Sequence, residues 1–420
     1  MKNWAGNLRF GAKRYHTPHT ISEIQKIVHD SDHVKVLGTR HSFNNIADCQ
    51  VDLISLESVV PRISVDPTNR EVTVGAGVTY GDISSFLRDS GWGLHNLASL
   101  PHITIAGAIA TATHGSGNNN GNLATAVTGI KWVAPDGSIV AHSRECDGGD
   151  FEGTVIGLGG LGLVIEVSLE IRPAYQMRQT VFENMHWSDL ERDFEAIMAS
   201  AYSVSLFTDW QSETLDQIWL KQRDSDHPEP AWIRNAVPAM EKRHPIRNRP
   251  AEGCTTQMGI SAPWSDTLPH FQLAYTPSHG DELQSEYFVP RERGLEAVEA
   301  VRSLRKELAA CLKISEVRTI ASDSLWMSPC YGRDTVAIHF TWQKDWPAVR
   351  KVLPMIEEQL APLDARPHWG KLFKMAPGTL QSLYPRLPQF QRLLNDHDPG
   401  GKFLNPFLQR YVLGNERPLV

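Results

Sequence analysis

The residues after one glycine string decide which kind of fold this chain can adopt. Gly157-Leu158-Gly159-Gly160-Leu161-Gly162 spells G-x-G-x-x-G. In a doubly wound dinucleotide fold such a string leaves a strand and opens a helix, so that the helix N-terminus meets the pyrophosphate. Here Leu163 to Ile171 comes next, alternating and rich in β-branched residues from Ile165 onward, and it stops at Arg172-Pro173. A strand leaves these glycines, so the nicotinamide-type reading fails its context test. They either bring the backbone close to something flat or charged, or make a plain tight turn.

Around this string the chain alternates between helix and strand signals from about 20 to 175. Ser22 and Gln25 suggest a capping box ahead of the apolar stripe Ile24, Ile27 and Val28. Strands are expected at 34–37, 51–55 and 71–74, a helix at 82–88 stopping near Gly91, and a hairpin from Ile130 to Val140 about Pro135-Asp136-Gly137. From about 176 the pattern shifts to strands such as Ser203–Phe207, separated by Pro-rich loops, with one helix over 295–308 and an irregular loop over 224–250. The class is α+β, with a second, mainly antiparallel unit.

Three small-residue segments in the first part are natural anion cradles. Leu37-Gly38-Thr39-Arg40-His41-Ser42-Phe43-Asn44 leaves a strand with successive N–H groups, hydroxyls at Thr39 and Ser42, and a cation at Arg40. Gly75-Ala76-Gly77 is the second. The third runs from Ser99 past Thr104 and Gly107-Ala108-Ile109-Ala110 to His114 and Gly117. Each alone reads as an ordinary loop; three together suggest a bound cofactor.

The second part offers a polar sheet face. A period of two puts Glu316 and Arg318 on one side of the strand about 314–320. In Val336 to Trp342 it sets Val336, Ile338, Phe340 and Trp342 against His339 and Thr341. Pattern alone leaves open whether the polar face floors a binding site or is a solvated outer surface.

Hydrophobic residues make up 41% and charged residues 21%, which excludes a disordered chain, and the net charge of −7 gives no drive toward nucleic acid or anionic membrane. The segment MKNWAGNLRF lacks the apolar core of a secretory leader, and five scattered cysteines suggest neither a disulfide framework nor a zinc site. A cytoplasmic, monomeric protein without a metal is expected.

Long strings then carry a resemblance along the whole chain: NWAGN (3–7), VLGTRHSFN (36–44), ASLPHITIAGAIATATHGSG (98–117), SVSLFTDW (203–210), ELQSEY (282–287), YGRDTVAIHFTW (331–342), ARPHWGK (365–371) and GKFLNPF (401–407). The chain resembles the alditol oxidases, xylitol oxidase included, of the vanillyl-alcohol-oxidase flavoprotein superfamily. The resemblance implies a two-subdomain PCMH-type FAD-binding domain over 1–180, an antiparallel-sheet substrate (cap) domain over 181–370, and a C-terminal segment, 371–420, returning to the FAD domain. It implies FAD held by residues 36–42, Ser99, Thr104, Gly107–Ala110, His114 and the Gly162-Leu163-Val164 backbone, with His41 as the covalent 8α-histidyl anchor. One departure stands beside that histidine: the family often has Ser-Gly where this chain has Thr39-Arg40.

The resemblance assigns Ser99, Glu316, Arg318, Thr341 and Lys371 to the substrate, and His339 shares a face with Thr341. Such donors and acceptors suit a chain of hydroxyls. It further implies oxidation of a terminal CH2OH to the aldose, with O2 reduced to H2O2 and with Lys371 or Arg318 favouring the developing alkoxide. The alternatives are an aldonolactone oxidase or dehydrogenase of the same superfamily and, from other classes, an NAD-dependent dehydrogenase or a carbohydrate-binding protein without turnover.

Overall fold

The structure is a computed structural model that describes residues 1–226, 232, 236–275 and 280–414. The class is α+β as anticipated. Among the described residues the strands form a three-stranded parallel sheet, a five-stranded antiparallel sheet, a two-stranded ribbon and a nine-stranded antiparallel sheet.

The parallel sheet sets Asp52–Ser55 between Arg14–His16 and Val34–Leu37. The helix Ile21–Asp30 buries Ile24 and Val28 with Val34 and Ile54. Its true N-cap is Thr20, whose hydroxyl accepts from the Glu23 N–H, while Glu23 Oε2 accepts from the His19 N–H. The expected Ser22/Gln25 box is therefore misplaced by two residues: a threonine with a glutamate three residues on satisfies the same orphan donors one half-turn earlier. The helix Tyr80–Asp89 carries a complete Thr79/Asp82 capping box, and the chain leaves it through Gly91 at φ +80, a conformation costly for any side chain.

The five-stranded sheet runs Ile63–Asp66, Glu71–Gly75, Leu163–Glu170, Val127–Val133, Ile139–Ser143. The glycine string enters it as the sequence requires. The chain arrives from the helix Gly148–Val155, turns through Leu158 and Gly159 at φ +51 and +66, and leaves as the strand Leu163–Glu170. Helix to glycine to strand is the reverse of the dinucleotide arrangement.

The large sheet is built on Gln176–Glu183, Gln217–Arg223, Ser203–Thr208, Leu312–Ile320, Thr335–Gln343 and Glu282–Pro290, in that spatial order. Val336, Ile338, Phe340 and Trp342 are wholly buried, and the helices Gly294–Ser303 and Trp346–Leu360 cover that side. The helix expected over 295–308 breaks at Leu304 into Gly294–Ser303 and Arg305–Leu308. The 224–250 segment is less irregular than expected: Val237–Pro238 pairs with Phe182 and Glu183. Residues 227–231 and 233–235 of that segment lie outside the described residues.

Hydrogen bonds at Lys402 and Asn405 tie the C-terminal part of the chain to the first sheet and to the turn at residues 45–48. The Val34 N–H donates to Lys402 O, and the Asn405 amide donates to the carbonyls of Asn45, Ile46 and Asp48. No helix among the described residues is long and apolar enough to cross a membrane.

Candidate active site

A cavity of about 810 Å³ runs from the glycine-rich loops to the polar face of the large sheet. One end is lined by Val36 through Ser42, Gly77, Thr104, Gly107 through Ala110, Gly162 and Val164. Leu163 is the exception among the anticipated residues: strand alternation turns its side chain away, into the core beneath Ile24 and Val28. The short helix Ile105–Ala110 lies against the cavity through Ala106, Gly107, Ala108, Ile109 and Ala110, all but one of them alanine or glycine. Gly38 faces Thr104 so closely that a Cβ there would collide with the threonine hydroxyl. Backbone brought this near to an open cavity suits a flat ligand bearing phosphates.

His41 sits at the junction. Its ring stacks on Trp4, centroids 4.9 Å apart and planes 25° from parallel. Nδ1 is buried without a hydrogen-bond partner, and burial pushes the imidazole pKa down to about 4, so the ring is neutral at pH 7. The N-terminal string holds this loop in place. The Trp4 N–H donates to Arg40 O, Asn3 Nδ2 to Ser42 O, and Asn7 Nδ2 to Phe43 O. From the other side Asn44 Nδ2 donates to the Trp369 and Lys371 carbonyls, and the Phe43 N–H to Gly370 O. Arg40, exposed, lies in the left-handed region at φ +64.

At the other end the polar face is not a solvated surface. Glu316, Arg318, His339 and Thr341 are 4%, 5%, 8% and 8% exposed, too little for a surface ion pair. Neighbouring strands bring them together: Glu316 pairs with His339, and Arg318 with Ala337. The centre is a residue the sequence reading missed, Glu286, whose side chain is fully buried. Lys371 Nζ donates to its Oε2 at 2.6 Å and Arg318 Nη2 to its Oε1 at 2.8 Å. His114 Nε2 lies 3.2 Å from the same Oε1, without hydrogen-bond alignment. His114 thus faces the carboxylate cluster, although the resemblance places it with the cofactor. Alternation over Glu282–Pro290 puts Glu286 with Gln284 on one face, but only the pairing of Glu286 with His339 and of Gln284 with Thr341 reveals which face.

Burial opposes ionisation of Glu286, yet the cations around it, Lys371 foremost, hold the carboxyl well below its usual range. Burial likewise opposes ionisation of Glu316, and Arg318 and His270 outweigh it in the same direction. Lys371 is lowered by its burial, with Glu286 working against the shift.

Burial brings His339 down to about 4, so it is neutral at pH 7. Its Nδ1 lies 2.8 Å from Lys371 Nζ and its Nε2 3.1 Å from Thr341 Oγ1. An ammonium can only donate, so the ring proton belongs on Nε2, where it donates to Thr341. The threonine hydroxyl hydrogen and the third Lys371 N–H are then free for a ligand. Arg318 Nε is a further buried donor with no hydrogen-bond partner, and Arg318 Nη1 reaches Ser99 Oγ at 3.4 Å. Unspent donors beside two fixed carboxylates fit a polyhydroxylated molecule.

Residues 12–143 match the FAD binding domain family and residues 279–411 the D-arabinono-1,4-lactone oxidase family. The chain is 45% identical to an alditol oxidase from a Streptomyces species over 99% of both chains. It is 26% identical to L-gulono-1,4-lactone dehydrogenase from Mycobacterium tuberculosis over 98% of both. Among solved structures, a solvent-stable cholesterol oxidase shares the fold with a TM-score of 0.79 at 14% identity, covering 98% of this chain and 96% of that one.

Proposed function

The chain belongs to the alditol oxidase family of FAD-dependent oxidoreductases, and from that premise we propose that it oxidises the terminal CH2OH of an alditol such as xylitol or sorbitol to the aldose, reducing O2 to H2O2. The observation that carries this reading is the polar wall of Glu316, Arg318, Thr341 and Lys371 facing the same cavity as the His41 loop.

Residues 36–42, Thr104, Gly107–Ala110 and Gly162 hold the FAD, and His41 is the residue for a covalent bond to it. A neutral ring with a buried, unpartnered nitrogen supports that role. When bound, FAD supplies the two-electron acceptor that O2 regenerates. The chain's own residues do the rest. Glu316 accepts a substrate hydroxyl hydrogen through an ionised carboxylate. Ser99 and Thr341 orient the neighbouring hydroxyls. Lys371 and Arg318, kept cationic by Glu286, donate to the reacting hydroxyl oxygen as its charge grows. Burial of the wall away from bulk water strengthens each of these contacts. The separate sheets and the Asn405 contacts to residues 45–48 support an FAD domain, a cap domain and a returning C-terminal segment, with the first boundary drawn back from 180 to about 175, because the strand Gln176–Glu183 belongs wholly to the large sheet.

The family match over residues 279–411 favours a second reading, oxidation of an aldonolactone. Hydrogen peroxide release with xylitol, sorbitol and a γ-lactone side by side separates the two. Turnover of the lactone alone overturns the alditol reading. Acid precipitation tests the covalent bond: yellow colour belongs in the pellet, and colour in the supernatant means FAD without the bond.

A further inference from the structure

Against Glu316 of the polar wall lies a second lysine–histidine pair that the proposed reaction does not use; His270 borders the cavity and Lys221 sits behind it. Lys221, on the strand Gln217–Arg223, is 1% exposed. Burial lowers its pKa to about 7, with Glu316 opposing the shift; as an ammonium it donates to Leu268 O at 2.5 Å, to Pro269 O at 2.9 Å and to His270 Nδ1 at 3.2 Å, which spends all three of its hydrogens. With Nδ1 accepting, the proton of a neutral His270 belongs on Nε2. Nε2 lies 2.8 Å from Glu316 Oε1. The Phe207 and Trp219 rings stand edge-on to the imidazole, 5.6 and 5.2 Å between centroids, and fix its plane. The same turn reaches the other side of the site, since the His270 N–H donates to Ser99 O at 3.1 Å.

We infer that Lys221 and His270 are positioning residues that fix Glu316 as an ionised acceptor for one alditol hydroxyl, an inference that rests on the reading of Glu316 as a substrate contact. Lys221 sets the imidazole tautomer, the Nε2–H occupies Oε1, and Oε2 is left for the substrate. The arrangement parallels Lys371, His339 and Thr341, where a lysine sets a tautomer and the histidine orients the group that meets substrate. A role confined to holding the turn on the sheet is met by the two carbonyl contacts and by Thr255 Oγ1, which donates to Pro269 O. The third contact, to the ring, serves the carboxylate.

Removing Lys221 lets the imidazole proton move to Nδ1, toward the two carbonyls it vacates. The Nε2 lone pair then faces Glu316, which disfavours the ionised carboxylate. The remaining groups facing Glu316 are Arg318, His339 and Lys371; those facing Lys221 are His270, Glu316, Arg318 and Cys254. None of them replaces a donor at Oε1 except Arg318 Nε, which is 3.5 Å away.

The test is xylitol turnover by the FAD-loaded enzyme across pH, with melting curves alongside. Lys221→Met and His270→Phe should each raise KM roughly 10- to 100-fold, the equivalent of one hydrogen bond to a charged group, with a much smaller change in kcat. In both, the acid limb of kcat/KM should move to higher pH. His270→Gln keeps an N–H at the Nε2 position and should restore KM to near the parent value. If Lys221→Met does not fold, the His270→Phe and His270→Gln pair carries the comparison. Lower melting temperatures with the parent KM and an unmoved acid limb overturn the inference and make the pair structural. Glu316→Gln separates the two levels. Unchanged KM there overturns the substrate-contact reading and this inference with it, whereas a raised KM there with parent behaviour in the His270 variants overturns the inference alone.

Discussion

Neutralising Glu286 is the perturbation the site should tolerate least. Its carboxylate touches Lys371 Nζ at 2.6 Å and Arg318 Nη2 at 2.8 Å with no exposure of its own. At an effective dielectric of about 20, each of these contacts is worth about 6 kcal/mol of attraction. Glu286→Gln removes both attractions but also relieves a desolvation cost of several kcal/mol for the buried ion. What is left, with two cations facing each other across a neutral amide, is a net loss of about 3–5 kcal/mol. Glutamine matches glutamate in shape, so no cavity contributes. For a chain of this size that corresponds to a fall in melting temperature of about 3–6 °C. The pH dependence has a definite sign. Burial lowers the Lys371 pKa and Glu286 raises it. Without Glu286 the ammonium therefore loses its proton at lower pH, and the alkaline limb of xylitol turnover moves to lower pH. Melting of the FAD-loaded variant and a pH profile of turnover measure the two effects. A melting temperature within about 2 °C of the parent, with an unmoved alkaline limb, would refute the view that Glu286 neutralises this pair.

Two further outcomes rest on the same geometry. Lys371→Ala should slow flavin reduction by alditol far more than it lowers the fraction of protein retaining FAD, because Lys371 faces the polar wall rather than the 36–42 loop; equal losses in both would make it structural. Arg40→Gly should raise the melting temperature by the equivalent of about 1 kcal/mol, since an exposed arginine at φ +64 bears a backbone cost that glycine does not. No rise would mean that the loop relaxes out of that conformation.

That arginine is where the sequence and the structure explain each other. Set against the resemblance, Thr39-Arg40 reads as a change of charge beside His41. The backbone angle shows a second consequence: the chain keeps a left-handed turn without the residue best suited to it. Trp4 is a different case. NWAGN belongs to the strings that mark the resemblance, yet nothing in those five residues says that they clamp the His41 loop. Trp4 meets His41 only because the N-terminus folds back across a loop almost forty residues away.

What the sequence determined by itself was everything governed by local period and turn chemistry. Alternation set Glu316 with Arg318 and His339 with Thr341, β-branched residues after Gly162 made a strand where a dinucleotide fold needs a helix, and small residues marked the loops that line the cavity. Its errors were also local: a helix cap placed two residues late, and a break at Leu304 unseen. Only the tertiary structure could decide which side of each strand is wet, because a period of two assigns faces but not neighbours. Placing Glu286 opposite His339, and Lys221 behind His270 behind Glu316, joins strands and a turn far apart in sequence. The charges that govern this site are set by those neighbours. A fully buried carboxylate with two cations has a protonation state that none of the three residues carries alone.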